Sequence, residues 1–302
     1  MNIRNLLEYA WCQVFTRQVS DYVSMGMGIE QRFQELSTWW KSHLDNSKAL
    51  QREALALCVS SHKTEIAILG SGRLYDLDSS ILSSQSIVHL YDYDPRSIYY
   101  CKKKFLKNPA IHLHCEDLTG AMMQWRSRLK KAVRLNIPDL EEILKNLKGA
   151  PSKISGDLVV SLNILGQLGI YWADRVEKIL GQRLVSAVQE ALNTSIERLE
   201  FEHVEMLAST GAKVILIITD ERYHFYGEQS SCVEALMKPL DSLIAQCPEF
   251  TNLYQKYVVR RWLWHIQPWG MEDRSSSELA SIHSVLGVVF VRRDGIILKT
   301  LF

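Results

Sequence analysis

The sequence predicts an α/β fold: a three-layer sandwich on a mostly parallel, seven-stranded sheet whose two C-terminal strands run antiparallel. Three observations predict it. Short apolar runs alternate with segments of helical periodicity, as in βαβ units. The runs at 65–69, 157–162 and 213–218 are almost continuously apolar, which is typical of parallel strands covered on both faces. The last two runs are joined by a stretch without helical periodicity, which favours antiparallel pairing.

The individual elements follow from the hydrophobic pattern. Seven strand-like runs are rich in β-branched and aliphatic residues. They are 65–69, 87–91, 111–115, 157–162, 213–218, 257–266 and 284–292. Helical spacing of apolar residues predicts helices at 95–106, 121–133, 138–148, 173–208 and 231–245. Asp294 and Gly295 are a hairpin signal that would return the chain as a last short strand.

The N-terminal segment, 1–62, is predicted to be a helical extension or lid outside the α/β domain of 63–302. The MGMG sequence at 25–28 is expected to separate its first two helices. Trp39 and Trp40 follow on a helical pattern. This segment could close over a substrate, form the surface of a homodimer, or cap one edge of the sheet.

The composition is that of a globular chain without a strong charge preference. It has 302 residues, 47% of them hydrophobic, enough for one large domain or for one large and one small domain. Its 35 basic and 34 acidic residues give a net charge of +1, so the charge does not favour a nucleic-acid partner. Polar residues interrupt 1–15, which argues against a secretory signal or a membrane span, so we expect a cytoplasmic protein.

The six cysteines predict neither disulfides nor a metal centre. They are scattered along the chain and include no CxxC pair. No Cys/His cluster has the spacing of zinc ligands, so we expect reduced thiols and no bound metal.

The first predicted strand ends at Gly70-Ser71-Gly72, where a ligand could approach the backbone closely because glycine has no Cβ. The second strand ends in Asp92, which lies 20 residues after Gly72. A carboxylate at this strand end can accept hydrogen bonds from both hydroxyls of a ribose. The turn and the carboxylate together predict a nucleoside-binding site, with Tyr93 beside it.

Polar residues also follow the third and fourth strands. Asp117, with Leu118 next to it, comes after the third strand, where a carboxylate can meet an adenine amino group. Ser161 and Asn163 end the fourth strand, beside the switch point where such sheets commonly bind ligands. The alternative is structural: Asp92 and Asp117 could be helix caps or rim charges, and Asn163 a turn residue.

These features, in this order, resemble the class I S-adenosylmethionine-dependent methyltransferases, which have a Rossmann-like fold. The resemblance covers about residues 60–294 and includes the sequences GDLVVSLNILGQL and GAKVILIITDE. It implies that S-adenosyl-L-methionine is the cofactor and lies across the carboxyl ends of the strands. It further implies these contacts: Gly70 and Gly72 to the methionine part, Asp92 to the ribose, Asp117 to the adenine, and Ser161 to Asn163 near the sulfonium. Their neighbours Ser71, Tyr93 and Leu118 complete the predicted cofactor site.

Two positions depart from the first motif of that family. Ile68 stands where the family usually has an acidic residue, and Leu74 where it usually has a third glycine. We expect Leu74 to fill the space that this glycine leaves open. A GxGxxG nicotinamide site fits less well, because Tyr75 is at its third glycine, where a helix and a strand must pack closely.

An acceptor site is expected near the ends of the fifth and sixth strands. Methyl transfer from a sulfonium is an in-line displacement that depends largely on positioning, and a base helps when the acceptor carries a proton. Tyr223 and His265 are the candidate catalytic residues, and each could instead be a packed aromatic side chain. We expect the acceptor to be a small molecule or a protein side chain.

Two other functions stay open on the sequence alone. One is a non-catalytic, methyltransferase-like module that binds a partner and has lost the cofactor, as the departures at Ile68 and Leu74 suggest. The other is a nicotinamide-dependent oxidoreductase. Binding of an adenosyl cofactor or of a nicotinamide cofactor would separate the three.

Overall fold

The structure is a computed structural model of the chain. It describes residues 20–58, 62–83, 86–121, 124, 137–149, 152–168, 176–177, 186–227, 230–236, 238–267 and 280–294. These residues form a Rossmann-like three-layer α/β sandwich, which confirms the predicted fold class.

The central layer is an eight-stranded mixed sheet. Its strands are β1 (Thr64–Leu69), β2 (Ser86–Asp92), β3 (Ile111–Cys115), β4 (Leu158–Leu162), β5 (Val214–Gly227), β6 (Ser230–Leu236), β7 (Tyr254–Gln267) and β8 (Ala280–Arg292). Their order is β3-β2-β1-β4-β5-β8-β7, and β6 pairs with β5 off this path. The first five strands are mutually parallel, and β8 is antiparallel to both β5 and β7. Because the order reverses between β1 and β4, their carboxyl ends flank the crevice where open α/β sheets bind ligands.

Six helices of at least six residues in the described chain surround the sheet. They are α1 (Ser20–Ala56), α2 (Pro95–Lys104), α3 (Ile137–Lys145), α4 (Ser186–Ser209), α5 (Leu240–Ala245) and α6 (Pro248–Leu253). The start of α2 is typical: Pro95 is in the first turn, and the Asp94 side chain accepts the N–H of Arg96. None of the helices described combines the length and the apolar character needed to cross a membrane.

Helices cover both faces of the sheet. On one face, Leu207 of α4 is buried in the same apolar cluster as Ile215 of β5. On the other face, Leu50 and Ala54 of α1 are buried in a cluster with Ile68 of β1. The N-terminal helix therefore supplies part of an outer layer, and its apolar side chains are held against the sheet.

Helix α1 differs from the sequence prediction. The MGMG sequence at 25–28 was expected to separate two helices, but the helix continues through it from Ser20 to Ala56. Tertiary packing of residues such as Leu50 outweighs the low helix propensity of the two glycines. A homodimer through this segment stays a prediction, as does its division from 63–302 as a separate domain.

The chain after the fifth predicted strand also differs. The strand predicted at 213–218 continues to Gly227, and the beginning of the helix predicted at 231–245 is strand β6. Strand β6, which pairs with the end of β5, is the eighth strand that the sequence prediction lacked. Strand β8 also pairs along β5 as far as Tyr226, so the extended part of β5 is hydrogen-bonded on both sides. The residues after Asp294, including the predicted last strand, and most of the helix predicted at 121–133 lie outside the described residues.

Candidate functional site

A cavity of about 250 Å³ opens at the carboxyl ends of β1 to β4, a size near the lower end of small-molecule pockets. Two walls enclose it. The strand-end wall contains Gly70, Gly72, Asp92, Tyr93, Asp117, Leu118 and Asn163. The α1–β7 wall contains Ile29, Trp40, His43, Leu44 and Trp264. The cavity therefore lies where the topology of the sheet places a ligand, and α1 closes one side of it.

The glycine turn after β1 needs its glycines. Gly70 has φ +76°, and a Cβ there would lie 2.7 Å from the carbonyl oxygen of Leu162. Gly72 has φ +51°, and a Cβ there would meet no atom within 4 Å, since the residue borders the open cavity. The turn thus brings bare backbone to the ligand space, as the sequence predicted.

The N–H groups of this turn are bonded within the protein. Gly70 and Ser71 both donate to the carbonyl oxygen of Tyr91, each at 3.0 Å. Gly72 donates to Oδ2 of Asp92 at 2.6 Å. A phosphate-binding loop presents such N–H groups to its ligand. Here they hold the end of β2 against the turn.

Asp92 is the centre of this arrangement. Its Oδ1 accepts the N–H of Asp94 at 2.7 Å, while its Oδ2 accepts from Gly72. Burial raises the pKa of Asp92, and the hydrogen bonds from Asp94 and Gly72 act in the opposite direction. The carboxylate lines the cavity in a fixed orientation, with lone pairs left for a ligand.

Leu74 does not fill the space that the sequence led us to expect. Its φ is +64°, the left-handed conformation that favours glycine. Its side chain is 8% exposed and belongs to the buried cluster that contains Ile68, and Leu74 does not line the cavity. The expectation was wrong because the backbone keeps the conformation of a glycine and the leucine side chain packs in the core.

Asn163 is the strained polar residue at the end of β4. It has φ +54°, and its N–H donates to Ile218 at 2.8 Å. The side chain is 6% exposed, and its Oδ1 is buried without a hydrogen-bond partner in the described chain. A buried, unpaired acceptor in a strained residue at a cavity wall is typical of a ligand contact.

Asp117 follows β3 on the same wall. Its Oδ1 accepts the N–H of Thr119 at 3.0 Å and the Thr119 hydroxyl at 2.7 Å. These two bonds form the side-chain turn that is expected of an aspartate with a purely structural role. The residue also lines the cavity, so the structural and ligand-binding interpretations are compatible.

The cavity is electronegative. Six carboxyl groups line it, and Arg73 is the one arginine or lysine among the described residues of its lining. The six are Glu30, Asp76, Asp92, Asp94, Glu116 and Asp117. Glu30 forms ion pairs with Arg73 at 2.9 Å and with the fully buried Arg96 at 2.8 Å, so both of these cations are already beside a carboxylate. A cationic ligand would be favoured here and an anionic one disfavoured.

Two of these carboxyl groups have strongly raised pKa values. Burial, and then the charge of Asp92, raise the pKa of Asp94 to about 7. Burial raises the pKa of Asp76 to about 6. Asp94 also touches α1, because a Cβ on Gly26 would lie 2.1 Å from its Oδ2. Helix α1 therefore approaches the end of β2 closely only because residue 26 is a glycine.

The α1–β7 wall is aromatic. The ring of His43 stacks on Trp264 with centroids 4.0 Å apart and an interplanar angle of 11°. Trp40 packs its edge against Trp264 at 5.2 Å. Trp262 donates its indole N–H to Nδ1 of His43 at 3.0 Å, and burial lowers the pKa of His43 to about 3. His43 is therefore a neutral ring whose proton is on Nε2.

Four predicted site residues lie away from the cavity lining. Ser71 is fully buried, and the Ser161 hydroxyl lies 2.9 Å from Nε2 of the buried His203. Tyr223 donates its hydroxyl to the carbonyl of Gly166 at 2.7 Å, and burial raises its pKa. His265 lies with its ring centroid 6.0 Å from that of Trp39. The structure does not bring the two candidate catalytic residues, Tyr223 and His265, to the cavity.

The sequence interpretation missed several lining residues. Glu30 and His43 lie on α1, far from the strand ends in sequence, and no local pattern connects them to the glycine turn. Asp76 could have been predicted from the sequence, since only three residues separate it from the glycine turn. Trp264, on β7, also lines the cavity and was not predicted as part of the site. In the structure Trp264 is buried while the neighbouring Leu263 is exposed, so it faces inward.

Comparison with known proteins gave structural similarities only. No protein-family model matches the chain, and no curated protein sequence matches it. One similar structure is the magnesium protoporphyrin IX methyltransferase ChlM from Synechocystis PCC 6803 with bound SAM, at 11% identity and TM-score 0.39, covering 97% of this chain and 98% of that one. Another is the N-methyltransferase NodS from Bradyrhizobium japonicum WM9 in complex with S-adenosyl-L-homocysteine, at 11% identity and TM-score 0.34, covering 80% of this chain and 85% of that one.

A third similar structure is a TehB-like SAM-dependent methyltransferase from Corynebacterium glutamicum, at 14% identity and TM-score 0.34, covering 89% of this chain and 99% of that one. The identities and TM-scores are low.

Proposed function

We propose that this protein is an S-adenosylmethionine-dependent methyltransferase that acts on a small molecule. The observation that carries the proposal is the electronegative cavity at the switch point, in which the N–H of Gly72 is bonded to Asp92. S-adenosylmethionine has a cationic sulfonium, a cationic ammonium group and one carboxylate, so it is a net cation, and it has no phosphate. Its charge therefore suits a cavity rich in carboxylates.

The proposed contacts follow the position of each residue on the strand-end wall. Asp92 would accept hydrogen bonds from the ribose hydroxyls with its remaining lone pairs, and Asp117 would face the adenine. Gly70 and Gly72 would lie against the methionine part. Asn163, whose Oδ1 has no partner in the described chain, would accept a hydrogen bond from the ammonium group. Tyr93 and Leu118 would supply lateral contacts from the same wall.

When bound, the cofactor would supply an electrophilic methyl group. The chain would then hold the acceptor in line with it and exclude water, for which the enclosing α1–β7 wall is suited. Asp76, with its pKa raised to about 6 by burial, is the group that would take up a proton from a hydroxyl or amine acceptor. This role replaces those predicted for Tyr223 and His265, whose side chains have other contacts.

The two alternatives receive less support from the geometry. A nicotinamide dinucleotide would bring a pyrophosphate to a turn whose N–H groups at 70–72 are used internally and whose surroundings are acidic. A module that has lost its cofactor was suggested by Ile68 and Leu74. Both side chains are buried in the core beside the sheet, so neither departure obstructs the cavity.

Thermal denaturation with added ligands tests the proposal. A ligand that binds only the folded state raises the melting temperature. We expect millimolar S-adenosylmethionine or S-adenosylhomocysteine to raise it and NAD+ to leave it unchanged. A rise with NAD+ alone would support the oxidoreductase. No rise with any of the three, in a protein that melts cooperatively, would support the non-catalytic module.

A further inference from the structure

The α1–β7 wall of the cavity combines aromatic rings with hydrogen-bond donors. We infer that the α1–β7 wall is the acceptor-binding half of the site, and that the acceptor is a small planar aromatic molecule bearing a hydrogen-bond-accepting oxygen. This inference rests on the proposed function, since it names the substrate class for the same cavity.

The wall holds aromatic rings, packed against one another, in a fixed arrangement. The stacked rings of His43 and Trp264 are nearly parallel, and the edge of Trp40 contacts Trp264 at an interplanar angle of 83°. Trp40 is itself fixed by donating its indole N–H to the carbonyl of Ile266 at 3.3 Å. Ile29 and Leu44 complete an apolar surface. Rigid aromatic surfaces of this kind bind planar apolar ligands by offset or edge packing.

Trp264 also has an unused hydrogen-bond donor. Its side chain is 8% exposed, and its Nε1 is buried without a partner in the described chain. An indole N–H can only donate, so the missing partner must be an acceptor atom. Burying a donor without a partner costs free energy, so an acceptor on a ligand in this cavity would relieve that cost.

His43 adds a second donor to the same wall. Because Trp262 donates to Nδ1, the neutral ring carries its proton on Nε2. Burial, reinforced by the nearby His283, lowers the pKa of His43 to about 3, so the ring does not become a cation at neutral pH. Its remaining polar atom is thus an N–H group, as in Trp264.

Two N–H donors beside an aromatic surface select among ligands. They favour a carbonyl, ether or phenolic oxygen and repel an ammonium group, even though the carboxylates elsewhere in the cavity would attract a cation. A rigid aromatic lining favours a flat ring, packed edge-on or offset, over an aliphatic chain. A hydroxylated aromatic ring meets both requirements.

Equilibrium dialysis with three matched probes tests this, in the presence of saturating S-adenosylhomocysteine. The probes are naphthalene, 2-naphthol and 2-(aminomethyl)naphthalene, which share a ring system and differ in one polar group. We expect 2-naphthol to bind about fivefold to tenfold more tightly than naphthalene, the effect of one satisfied hydrogen bond, and the ammonium probe to bind no more tightly than naphthalene.

The variant Trp264→Phe keeps a ring and removes the N–H. It should reduce the preference for 2-naphthol, since only the His43 donor then remains, whereas Trp39→Phe, which changes a half-exposed indole outside the cavity lining, should retain it in full. The probe comparison in the wild type stands even if Trp264→Phe does not fold.

The possible results separate a failure of the acceptor inference from a failure of the proposed function. Equal binding of naphthalene and 2-naphthol to a protein that binds S-adenosylhomocysteine would overturn the acceptor inference and leave the proposed function standing. So would tightest binding of the ammonium probe, or an unchanged preference in folded Trp264→Phe. Absence of S-adenosylhomocysteine binding would overturn the proposed function and, with it, the role of the α1–β7 wall as an acceptor site.

Discussion

Asp92 and Gly72 are joined by a hydrogen bond of 2.6 Å between Oδ2 and the backbone N–H, so the end of β2 is fastened to the glycine turn after β1. The two sequence signals that suggested a nucleoside site are therefore one structural unit. The same bond uses the turn N–H that a pyrophosphate would need. This contact thus disfavours a dinucleotide.

Asp92→Asn tests this unit. The amide nitrogen of asparagine cannot accept an N–H, so the variant would lose the bond from Gly72 or the bond from Asp94. We expect the affinity for S-adenosylhomocysteine to fall by at least about tenfold, since both the turn and the ribose contact are affected. Isothermal titration of the folded variant measures it. Asp45→Asn, an exposed carboxyl group of α1, is the control and should bind like the wild type.

The left-handed backbone of Leu74 predicts an unusual order of stabilities for its alanine and glycine variants. Leu74→Ala removes buried side chain while keeping a Cβ at φ +64°, and should cost about 2–5 kcal/mol of the free energy of unfolding. Leu74→Gly removes slightly more side chain but relieves the left-handed strain, worth roughly 1–2 kcal/mol. We therefore expect the glycine variant to be at least as stable as the alanine variant in urea denaturation. A glycine variant clearly less stable than the alanine variant would contradict the assigned backbone conformation.

Gly26 and Gly28 form a matched pair on α1. A Cβ on Gly28 would meet no atom within 4 Å, so Gly28→Ala should raise the free energy of unfolding by roughly 0.5–1 kcal/mol through helix propensity. A Cβ on Gly26 would lie 2.1 Å from Oδ2 of the buried Asp94, so Gly26→Ala should gain less or be destabilising. Thermal denaturation of both variants measures the difference. Equal stabilisation by both would show that α1 does not pack on the end of β2 in this way.

Asp94 should make stability depend on pH. Because its folded-state pKa, about 7, lies above its ordinary value of 3.8, the folded protein binds this proton more tightly than the unfolded chain does. The stabilisation from this group is thus complete below about pH 4 and is lost as the pH rises towards about 7. Asp94→Asn keeps an oxygen to accept the N–H of Arg96 and removes the titration.

We expect the melting temperature of Asp94→Asn, relative to the wild type, to rise over this pH range and to level off above it. Asp45→Asn is the control: the hydrogen bond to Lys41 lowers the pKa of Asp45 below 3.8, so its titration lies below this range and its difference from the wild type should stay constant across it. A constant difference between Asp94→Asn and the wild type across the range would contradict the raised pKa.

The strand ends could be predicted from the sequence because their chemistry is local. Gly70, Gly72 and Asp92 lie at the ends of apolar runs, and the order of a parallel sheet brings such ends together, as the structure shows. Asn163 was predicted for the same reason. Its left-handed backbone and unpaired Oδ1 were not, since they depend on the packing around β4.

The other half of the cavity could not be predicted. Trp40 and His43 reach the site because α1 crosses the face of the sheet, and that placement depends on the buried cluster of apolar side chains rather than on any motif. Tyr223 and His265 were chosen by their nearness to strand ends. The structure gives Tyr223 a backbone partner in Gly166, which sequence spacing alone does not indicate.

The central claim is that the cavity binds an adenosyl cofactor through its strand-end wall, and calorimetric titration tests it most directly. S-adenosylhomocysteine is titrated into the wild type and into Asn163→Ala, which removes the buried Oδ1 acceptor. We expect saturable binding at one site per chain, weakened by about fivefold or more in the variant. Absence of binding to the folded wild type at millimolar ligand, or binding that Asn163→Ala leaves unchanged, would contradict it.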